Sequence, residues 1–270
     1  MPPRSALVLA ATAGLAACVP VPSYMLEDRP STTITSGVYR DLEPGAKEES
    51  GLHFKVRAYG SQRPAQILQL AEVQYERIMH DTGLYSFSPK GLYQIVVYGN
   101  ADEFQKKTQY APWAVALTVG NAIYAYDGEQ LGPAMAHEMS HVIFHEYMSS
   151  SRVELRWLNE GLAVYQEARA AGGSAAPLRL RQEPMAFNDM VQTVPVTERE
   201  RQVALWYRQV GDVVGFMIER GGRLGFGQLL KALRDGQALD PAIQAGFPGV
   251  WGSARELEQA WRRKVADAGN

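Results

Sequence analysis

Two histidines and a glutamate lie close together near the middle of the chain, in the pattern H-E-x-x-H that begins at His137 and ends at His141. The surrounding residues, about 133–148, have helical periodicity. Side chains four positions apart on a helix project from one face, so both imidazoles can reach one metal ion. The intervening Glu138 is placed to accept a proton from a metal-activated water. The pattern predicts His137 and His141 as metal ligands and Glu138 as the general base.

A third ligand is expected because a catalytic zinc site uses three protein ligands and keeps a fourth position for water. Glu160 follows His141 after eighteen intervening residues, early in a second segment with helical periodicity at about 154–171. That distance suffices to end the first helix, turn, and return antiparallel with Glu160 facing the histidines. The spacing predicts Glu160 as the third ligand of one Zn²⁺ per chain.

Both segments together resemble the gluzincin zinc metallopeptidases. The sequence Trp-Leu-Asn-Glu-Gly-Leu-Ala around Glu160 is similar to the third-ligand helix of the aminopeptidase N family, which has the same eighteen-residue gap. The short chain, with strands before helices, also resembles the small bacterial peptidase MA-like domains. The resemblance implies zinc bound by His137, His141 and Glu160, with Glu138 as base, in a zincin-like (gluzincin) catalytic core.

Neighbouring residues exclude a rival arrangement and suggest supporting roles. A metzincin would carry glycine at position 144 and a third histidine at position 147, where this chain has Phe144 and Tyr147. His145 is expected to be solvated or to lie beside the ligands, not to bind the metal. Asn159 is expected to form a hydrogen bond near the metal helix, and Glu167 to be a surface charge.

Peptide hydrolysis also needs a hydrogen-bond donor for the oxyanion that forms at the scissile carbonyl. In the aminopeptidase N family, a tyrosine on a later helix is that donor. The segment from Trp206 to Ile218 resembles the corresponding helix of peptidase MA-like domains, with Tyr207 at the tyrosine position. The resemblance implies Tyr207 as the oxyanion donor, and a core aromatic residue is the alternative.

Gluzincins bind a substrate peptide as an extra strand on the edge of the sheet beside the metal helix. The segment 120–126, nearest the metal helix in sequence, is expected to be that edge, with Gly120, Asn121 and Ala122 in contact with substrate. The aminopeptidase N family has a Gly-Ala-Met-Glu-Asn motif there, whose glutamate grips the free amino group. This chain has no acidic residue in the segment, so endopeptidase activity or another specificity is at least as consistent as aminopeptidase activity.

The elements that must position these residues change character along the chain. Alternating and apolar runs predict strands before the metal helix, and helical periodicity dominates after it. Strands are expected at 52–59, 92–98 and within 114–126, and helices at 64–80, 101–108, 133–148, 154–171, 197–220, 226–235, 241–245 and 254–268. This order predicts an α+β fold, a small twisted mixed sheet followed by a helical lobe.

The N-terminus resembles a bacterial lipoprotein signal. A basic start is followed by an apolar run from Ala6 to Ala17, too short for a stable membrane span, and then by Cys18, the only cysteine. The predicted regions are a signal peptide at 1–17, a flexible tether at 18–50 and a metallopeptidase domain at 51–270. Lipidation of Cys18 would anchor the protein in the bacterial cell envelope, at the periplasmic face or the outer membrane. An ordinary signal peptide or a cytosolic chain with an apolar start are the alternatives.

The composition narrows the class of partner. The formal net charge of −2 gives no basic footprint for nucleic acid, so none is expected as a partner. The leading hypothesis is a lipid-anchored zinc peptidase acting on peptides or proteins. The alternatives are a zinc-binding lipoprotein with a structural or partner-binding site and little turnover, or a hydrolase of non-peptide amides. The sequence predicts no oligomeric state.

Overall fold

The computed structural model describes residues 41–110, 112–149, 152–173, 183–192 and 200–269. The predicted signal peptide, Cys18 and the tether up to residue 40 lie outside these ranges. Among the helices of the described ranges, none is both long enough and apolar enough to cross a membrane.

The elements of these ranges form an α+β fold, with a small mixed sheet and a mostly helical body, as predicted. The strands are β1 (Lys47–Ser50), β2 (Phe54–Ala58), β3 (Tyr93–Tyr98), β4 (Ala116–Val119) and β5 (Ala122–Tyr126). The helices are α1 (Arg63–Thr82), α2 (Ala101–Thr108), α3 (Leu131–Met148), α4 (Arg156–Ala170), α5 (Phe187–Gln192), α6 (Glu200–Gly221), α7 (Arg223–Arg234), α8 (Leu239–Gly246) and α9 (Ala254–Gly269).

The five strands lie in the order β1-β2-β3-β5-β4. The inner strands β2, β3 and β5 are parallel to one another, and β1 and β4 pair antiparallel at the two edges. The helices α1 and α2 connect the parallel strands, as the long crossover between parallel neighbours requires. The strands β3 and β5 are buried on both faces, which explains their nearly continuous runs of apolar residues, whereas β2 alternates buried apolar residues with the half-buried Lys55 and Arg57.

The strand β1 corrects the predicted boundary of the tether, which was expected to reach residue 50. All four residues of β1 are exposed, so the strand carries no apolar alternation. It is held by antiparallel pairing with β2 and by an ion pair of 2.9 Å between Glu48 Oε1 and Lys55 Nζ. The folded body therefore begins before residue 51, and hydrophobic periodicity could not reveal it.

The hairpin of β4 and β5 corrects the predicted sheet edge. A two-residue turn at Gly120 and Asn121 joins the strands, and Gly120 adopts a φ of 64°, which glycine tolerates at the first central position of such turns. The strand β5 lies between β3 and β4, so β5 is an interior strand and β4 is the edge. Ala122, expected at the edge, is buried in the sheet. Proximity in sequence to α3 did not determine proximity to the edge.

Two apolar clusters fill the space on either side of the sheet. One contains Phe54, Ile95 and Ile123 of the sheet and continues into α1, α3 and the later helices. The other contains Tyr98 and Tyr124 and packs against α2. The helix α3 lies in the larger cluster and is buried along most of its length. A rigid core therefore surrounds the helix that carries the H-E-x-x-H pattern.

Candidate metal centre

The helix α3 presents the first two candidate ligands. It begins after Gln130, with Pro133 in its first turn, where a missing backbone N–H costs nothing. It ends at Met148, and the next residue, Ser149, caps it in the left-handed conformation, with its N–H donating to the carbonyl of His145. His137 and His141 lie one turn apart, and their ring centroids are 4.9 Å apart.

The helix α4 returns antiparallel along α3 after a 3-10 turn at Val153–Leu155. The direction follows from the contacts, because a residue late in α4 meets His137 and a residue early in α4 meets His145. On its other side α4 packs closely on α6. A Cβ placed on Gly161 would lie 2.5 Å from the carbonyl oxygen of Val210. The glycine therefore permits an approach of two helices beside Glu160.

The structure brings the three predicted ligands together. One ligand atom each from His137, His141 and Glu160 lie within 4.8 Å of one another. His141 Nε2 and Glu160 Oε2 are 3.7 Å apart. His137 Nε2 and Glu160 Oε2 are buried and have no hydrogen-bond partner among the described residues. Because buried polar atoms are rarely left without a partner, this convergence indicates a ligand at that point.

Both imidazoles are oriented through their other nitrogen. His137 Nδ1 lies 2.8 Å from Glu167 Oε2, and His141 Nδ1 lies 3.0 Å from Asn159 Oδ1. Since a carboxylate oxygen and an amide oxygen only accept hydrogen bonds, each Nδ1 donates its proton. Each Nε2 then carries a lone pair directed toward Glu160, which is the arrangement that metal-binding histidines require.

Glu167 was expected to be a surface charge, and the structure corrects that prediction. Its side chain is only 16% exposed and contacts His137. Glu167 lies seven positions after Glu160, two turns along the same face of α4, so it meets α3 at the level of His137. That spacing was the signal in the sequence, although using it required knowing the direction in which α4 returns.

The charges around the two histidines act in opposite directions. Burial opposes the charged form of His137, but the hydrogen bond and charge of Glu167, with Glu138 and Glu160, raise its pKa to about 9. Burial and the charge of His137 lower the pKa of His141 to about 4. Burial also raises the pKa of Glu160. Without a metal His137 therefore favours the charged form, with a second proton on Nε2 in the place that a bound metal ion would take.

Asn159 lies between His141 and His145 and contacts both rings. Asn159 forms the hydrogen bond to His141, which confirms the prediction of a contact with the metal helix. Its Nδ2 lies 3.3 Å from His145 Nε2. His145 is not in the group of described residues whose ligand atoms converge, and its expected place outside the ligand set stays a prediction. Burial, followed by the charge of His141, lowers the pKa of His145 to about 4.

Glu138 is 3% exposed, and its charge acts on both His137 and His141. Its backbone carbonyl accepts a hydrogen bond of 3.3 Å from Thr118 Oγ1, so the edge strand β4 lies beside the base. The edge next to the site is therefore β4, while Gly120, Asn121 and Ala122 form the turn and the start of β5. Their contact with substrate stays a prediction.

Tyr207 lies in α6 and is 6% exposed. Its ring packs edge-on against Trp206, with centroids 5.1 Å apart, within the larger apolar cluster. Val210, one turn later, contacts Gly161 next to Glu160. The packing of the ring is that of a core aromatic residue. The same residue also lies one turn from the point where α6 contacts α4, next to Glu160. The role of Tyr207 as oxyanion donor stays a prediction.

The donor set fits a catalytic zinc ion. Two imidazole nitrogens and one carboxylate oxygen are the ligands of the two-histidine, one-glutamate class of catalytic zinc sites, which keep a fourth position for water. Their supporting partners, Glu167 and Asn159, are of the types that orient such ligands. A metal ion bound by these residues would supply the partner that the described residues do not give to the buried His137 Nε2 and Glu160 Oε2.

Comparison with known protein families gives a match to most of the chain. The family model described as the Peptidase MA superfamily matches residues 71–267, which include the three candidate ligands and Glu138. No curated protein matches the chain.

Proposed function

The chain belongs to the Peptidase MA superfamily, and on that premise we propose that it is a zinc-dependent peptidase. The proposed ligands are His137, His141 and Glu160, in a zincin-like core of the gluzincin type, with a third-ligand helix similar to that of the aminopeptidase N family. The observation that carries the proposal is the convergence of two buried atoms, His137 Nε2 and Glu160 Oε2, that have no hydrogen-bond partner in the described part of the chain, beside His141.

A zinc ion bound there would polarise a water and the scissile carbonyl. The residues of the chain supply the remaining steps. Glu138, one position from a ligand and buried in the same helix, accepts the proton of the attacking water and passes it to the leaving amine. Glu167 and Asn159 hold the two imidazoles in the tautomer with a lone pair on Nε2.

The edge strand β4 offers the place for the substrate backbone. Tyr126 N–H donates to the carbonyl of Val115, so Val115 faces β5, and along β4 the backbone groups alternate in direction. The N–H and C=O groups of Ala116 and Thr118 therefore point away from β5. We propose that a peptide pairs with these groups as an added strand, next to Glu138.

The oxyanion that forms at the scissile carbonyl needs a donor besides the metal. We propose Tyr207 for this role, supported by its place on α6, one turn before the contact of Val210 with Gly161. Peptides or proteins are the proposed substrates, and the absence of an acidic residue in segment 120–126 favours an endopeptidase or another specificity over an aminopeptidase.

We also propose that the protein is anchored to the bacterial cell envelope by lipid on Cys18. The support is the sequence alone, an apolar run that ends in Leu-Ala-Ala followed by the only cysteine. Acyl chains on that residue would supply the multiple anchors that stable membrane attachment needs. Incorporation of a labelled fatty acid into the wild-type protein, but not into Cys18→Ser, would support the anchor. Equal incorporation would contradict it.

The peptidase proposal is tested by cleavage of a quenched-fluorescent peptide library by the zinc-loaded protein. Glu138→Gln keeps the size of the side chain and removes the base. We expect this variant to lose about 100- to 10,000-fold in rate, the usual contribution of general acid–base catalysis, while retaining its zinc. Glu76→Gln, the same change at an exposed position of α1, is the control and should cleave at the wild-type rate.

The outcome also separates the two classes of function. Bound zinc with cleavage that is sensitive to chelators and to Glu138→Gln supports a peptidase. Bound zinc without cleavage of any peptide favours the zinc-binding lipoprotein or a non-peptide amide as substrate. Cleavage that persists in Glu138→Gln would contradict the assigned base.

A further inference from the structure

His145 continues the row of histidines on α3, one turn beyond His141, and the metal site does not use it as a ligand. Its Nε2 lies 3.3 Å from Asn159 Nδ2, and the other end of the same amide, Oδ1, lies 3.0 Å from His141 Nδ1. One amide group therefore joins the two rings, whose centroids are 6.5 Å apart.

The two ends of an asparagine amide are nearly identical in shape and opposite in chemistry. The oxygen accepts hydrogen bonds and the NH₂ group donates them. A half-turn of the side chain would exchange them without changing the space that the amide fills. The shape of the pocket around Asn159 therefore does not decide which end faces His141.

The choice between the two ends affects the metal directly. With Oδ1 toward His141, Nδ1 of that ring carries the proton and Nε2 keeps a lone pair for the metal. With the NH₂ group toward His141, Nδ1 would have to accept, and the proton of a neutral ring would lie on Nε2, where it blocks coordination. The orientation of Asn159 thus decides whether His141 can bind.

We propose that His145 is a positioning residue of the metal site, which holds Asn159 so that its oxygen faces His141. With the ring proton of His145 on Nδ1, the lone pair on its Nε2 accepts from Asn159 Nδ2, and in this tautomer the hydrogen bond is possible in only one of the two amide orientations. His145 acts through Asn159 and touches neither metal nor substrate. This role rests on the proposed metal site and is independent of peptide cleavage.

The packing of α3 against α4 places position 145 next to Asn159. Because α3 and α4 run antiparallel, the turn of α3 after His141 lies opposite the start of α4, where Asn159 stands. An apolar side chain at position 145 could fill the same space, but it would leave the Asn159 NH₂ group without this acceptor and the two amide orientations closer in energy.

The test uses zinc affinity, measured by competition with a chromophoric chelator. His145→Phe keeps a ring and removes the acceptor, whereas His145→Gln places an amide oxygen near the position of Nε2. We expect about a 10-fold weaker zinc affinity for His145→Phe, the lower end for losing a supporting contact, and near wild-type affinity for His145→Gln. His80→Phe, an exposed histidine at the end of α1, is the control and should change nothing.

A double-mutant cycle distinguishes positioning from a general effect on the fold. In an Asn159→Ala background, His145→Phe should cause no further loss, because its route to His141 is gone. An equal loss in both backgrounds, or wild-type affinity in His145→Phe alone, would overturn the proposal.

A measurement on the wild-type protein does not depend on how the variants fold. Long-range ¹H–¹⁵N correlation spectra of zinc-loaded protein should place a proton on Nδ1 of both His141 and His145, and none on Nε2 of His145. A proton on Nε2 of His145 would overturn the proposal while leaving the metal site intact. Failure of the wild-type protein to bind zinc would overturn the metal site and the positioning role together.

Discussion

Two buried glutamates, Glu146 on α3 and Glu160 on α4, differ in how their oxygens are used. They are 8% and 7% exposed, so burial does not distinguish them. Glu146 Oε1 accepts from the N–H of Lys90 at 2.6 Å, and its Oε2 accepts from the hydroxyl of Tyr93 at 2.6 Å. Glu160 Oε2 has no hydrogen-bond partner among the described residues.

The difference separates a carboxylate that holds the fold together from one that is available to a ligand. Glu146 connects the end of α3 to the start of β3, and both of its oxygens are satisfied by the chain itself. Glu160 Oε2 lies 3.7 Å from His141 Nε2, beside His137 Nε2, for which the described residues offer no hydrogen-bond partner. A buried acidic residue indicates a binding site only when the surrounding residues leave one of its carboxylate oxygens without a hydrogen bond or a paired charge.

Gly161→Ala is expected to have the largest effect, because it should lower both stability and zinc affinity. The change lies next to Glu160 and does not touch Glu146, so it separates the two glutamates. The new Cβ would lie 2.5 Å from the carbonyl oxygen of Val210 and 2.6 Å from Val214 Cγ2. The helices α4 and α6 must therefore separate, at a cost of about 1–3 kcal/mol in the free energy of unfolding, and zinc affinity should fall.

Chemical denaturation and zinc titration measure these two effects. Gly91→Ala is the control, since a Cβ there meets nothing within 4 Å, and its change should stay within about 0.5 kcal/mol. Wild-type stability and zinc affinity in Gly161→Ala would contradict the close contact of α4 with α6.

An effect on stability without an effect on the metal is expected from Glu146→Gln. The substituted amide can accept from Lys90 N–H through its oxygen, while its NH₂ group faces the Tyr93 hydroxyl, which would then have to accept, so both hydrogen bonds lose their charged acceptor. We expect a loss of about 1–3 kcal/mol in unfolding free energy, with unchanged zinc content. Loss of zinc from the folded variant would contradict the claim that Glu146 supports the fold and not the metal site.

The smallest effect is expected from Glu167→Gln, because glutamine can still accept the hydrogen bond from His137 Nδ1. Only the charge is lost, so zinc affinity should weaken by about 10-fold, the lower end for such contacts. Isothermal titration calorimetry measures this change. Affinity equal to that of the wild-type protein would show that the charge of Glu167 does not support His137 as a ligand.

In the metal-free protein, the stability cost of Glu167→Gln is expected to fall as the pH rises. Burial opposes the charged form of His137, but Glu167 and the other carboxylates raise its pKa to about 9, from the ordinary value of 6.5. The stability from this pairing is therefore full below pH 6.5 and lost as the pH rises through 9. Glu167→Gln should cost more stability at pH 6 than at pH 10, and a pH-independent cost would contradict the pairing.

The sequence predicted what depends on local spacing. The positions of His137 and His141 one turn apart follow from helical periodicity, and the eighteen residues before Glu160 allow one return of the chain. Most helices and strands were predicted within a few residues for the same reason. These parts of the fold and of the site are determined by short stretches of sequence.

The parts that were missed depend on how distant elements pair. All four residues of β1 are exposed, so the strand is recognised only by its pairing with β2. The strand β4 lies at the edge because β5 pairs between it and β3. A pattern within either strand cannot predict that order. Glu167 and His145 gain their roles from the register between α3 and α4, so their partners could not be read from either helix alone.

The metal content of the purified protein, measured by elemental mass spectrometry under zinc-replete conditions, tests the central claim most directly. The two buried glutamates give the matched pair, Glu160→Ala and Glu146→Gln. We predict about one zinc per chain in the wild-type protein and in Glu146→Gln, and none in folded Glu160→Ala, since a third ligand completes the site. Full zinc in Glu160→Ala, or no zinc in the wild-type protein, would contradict the account.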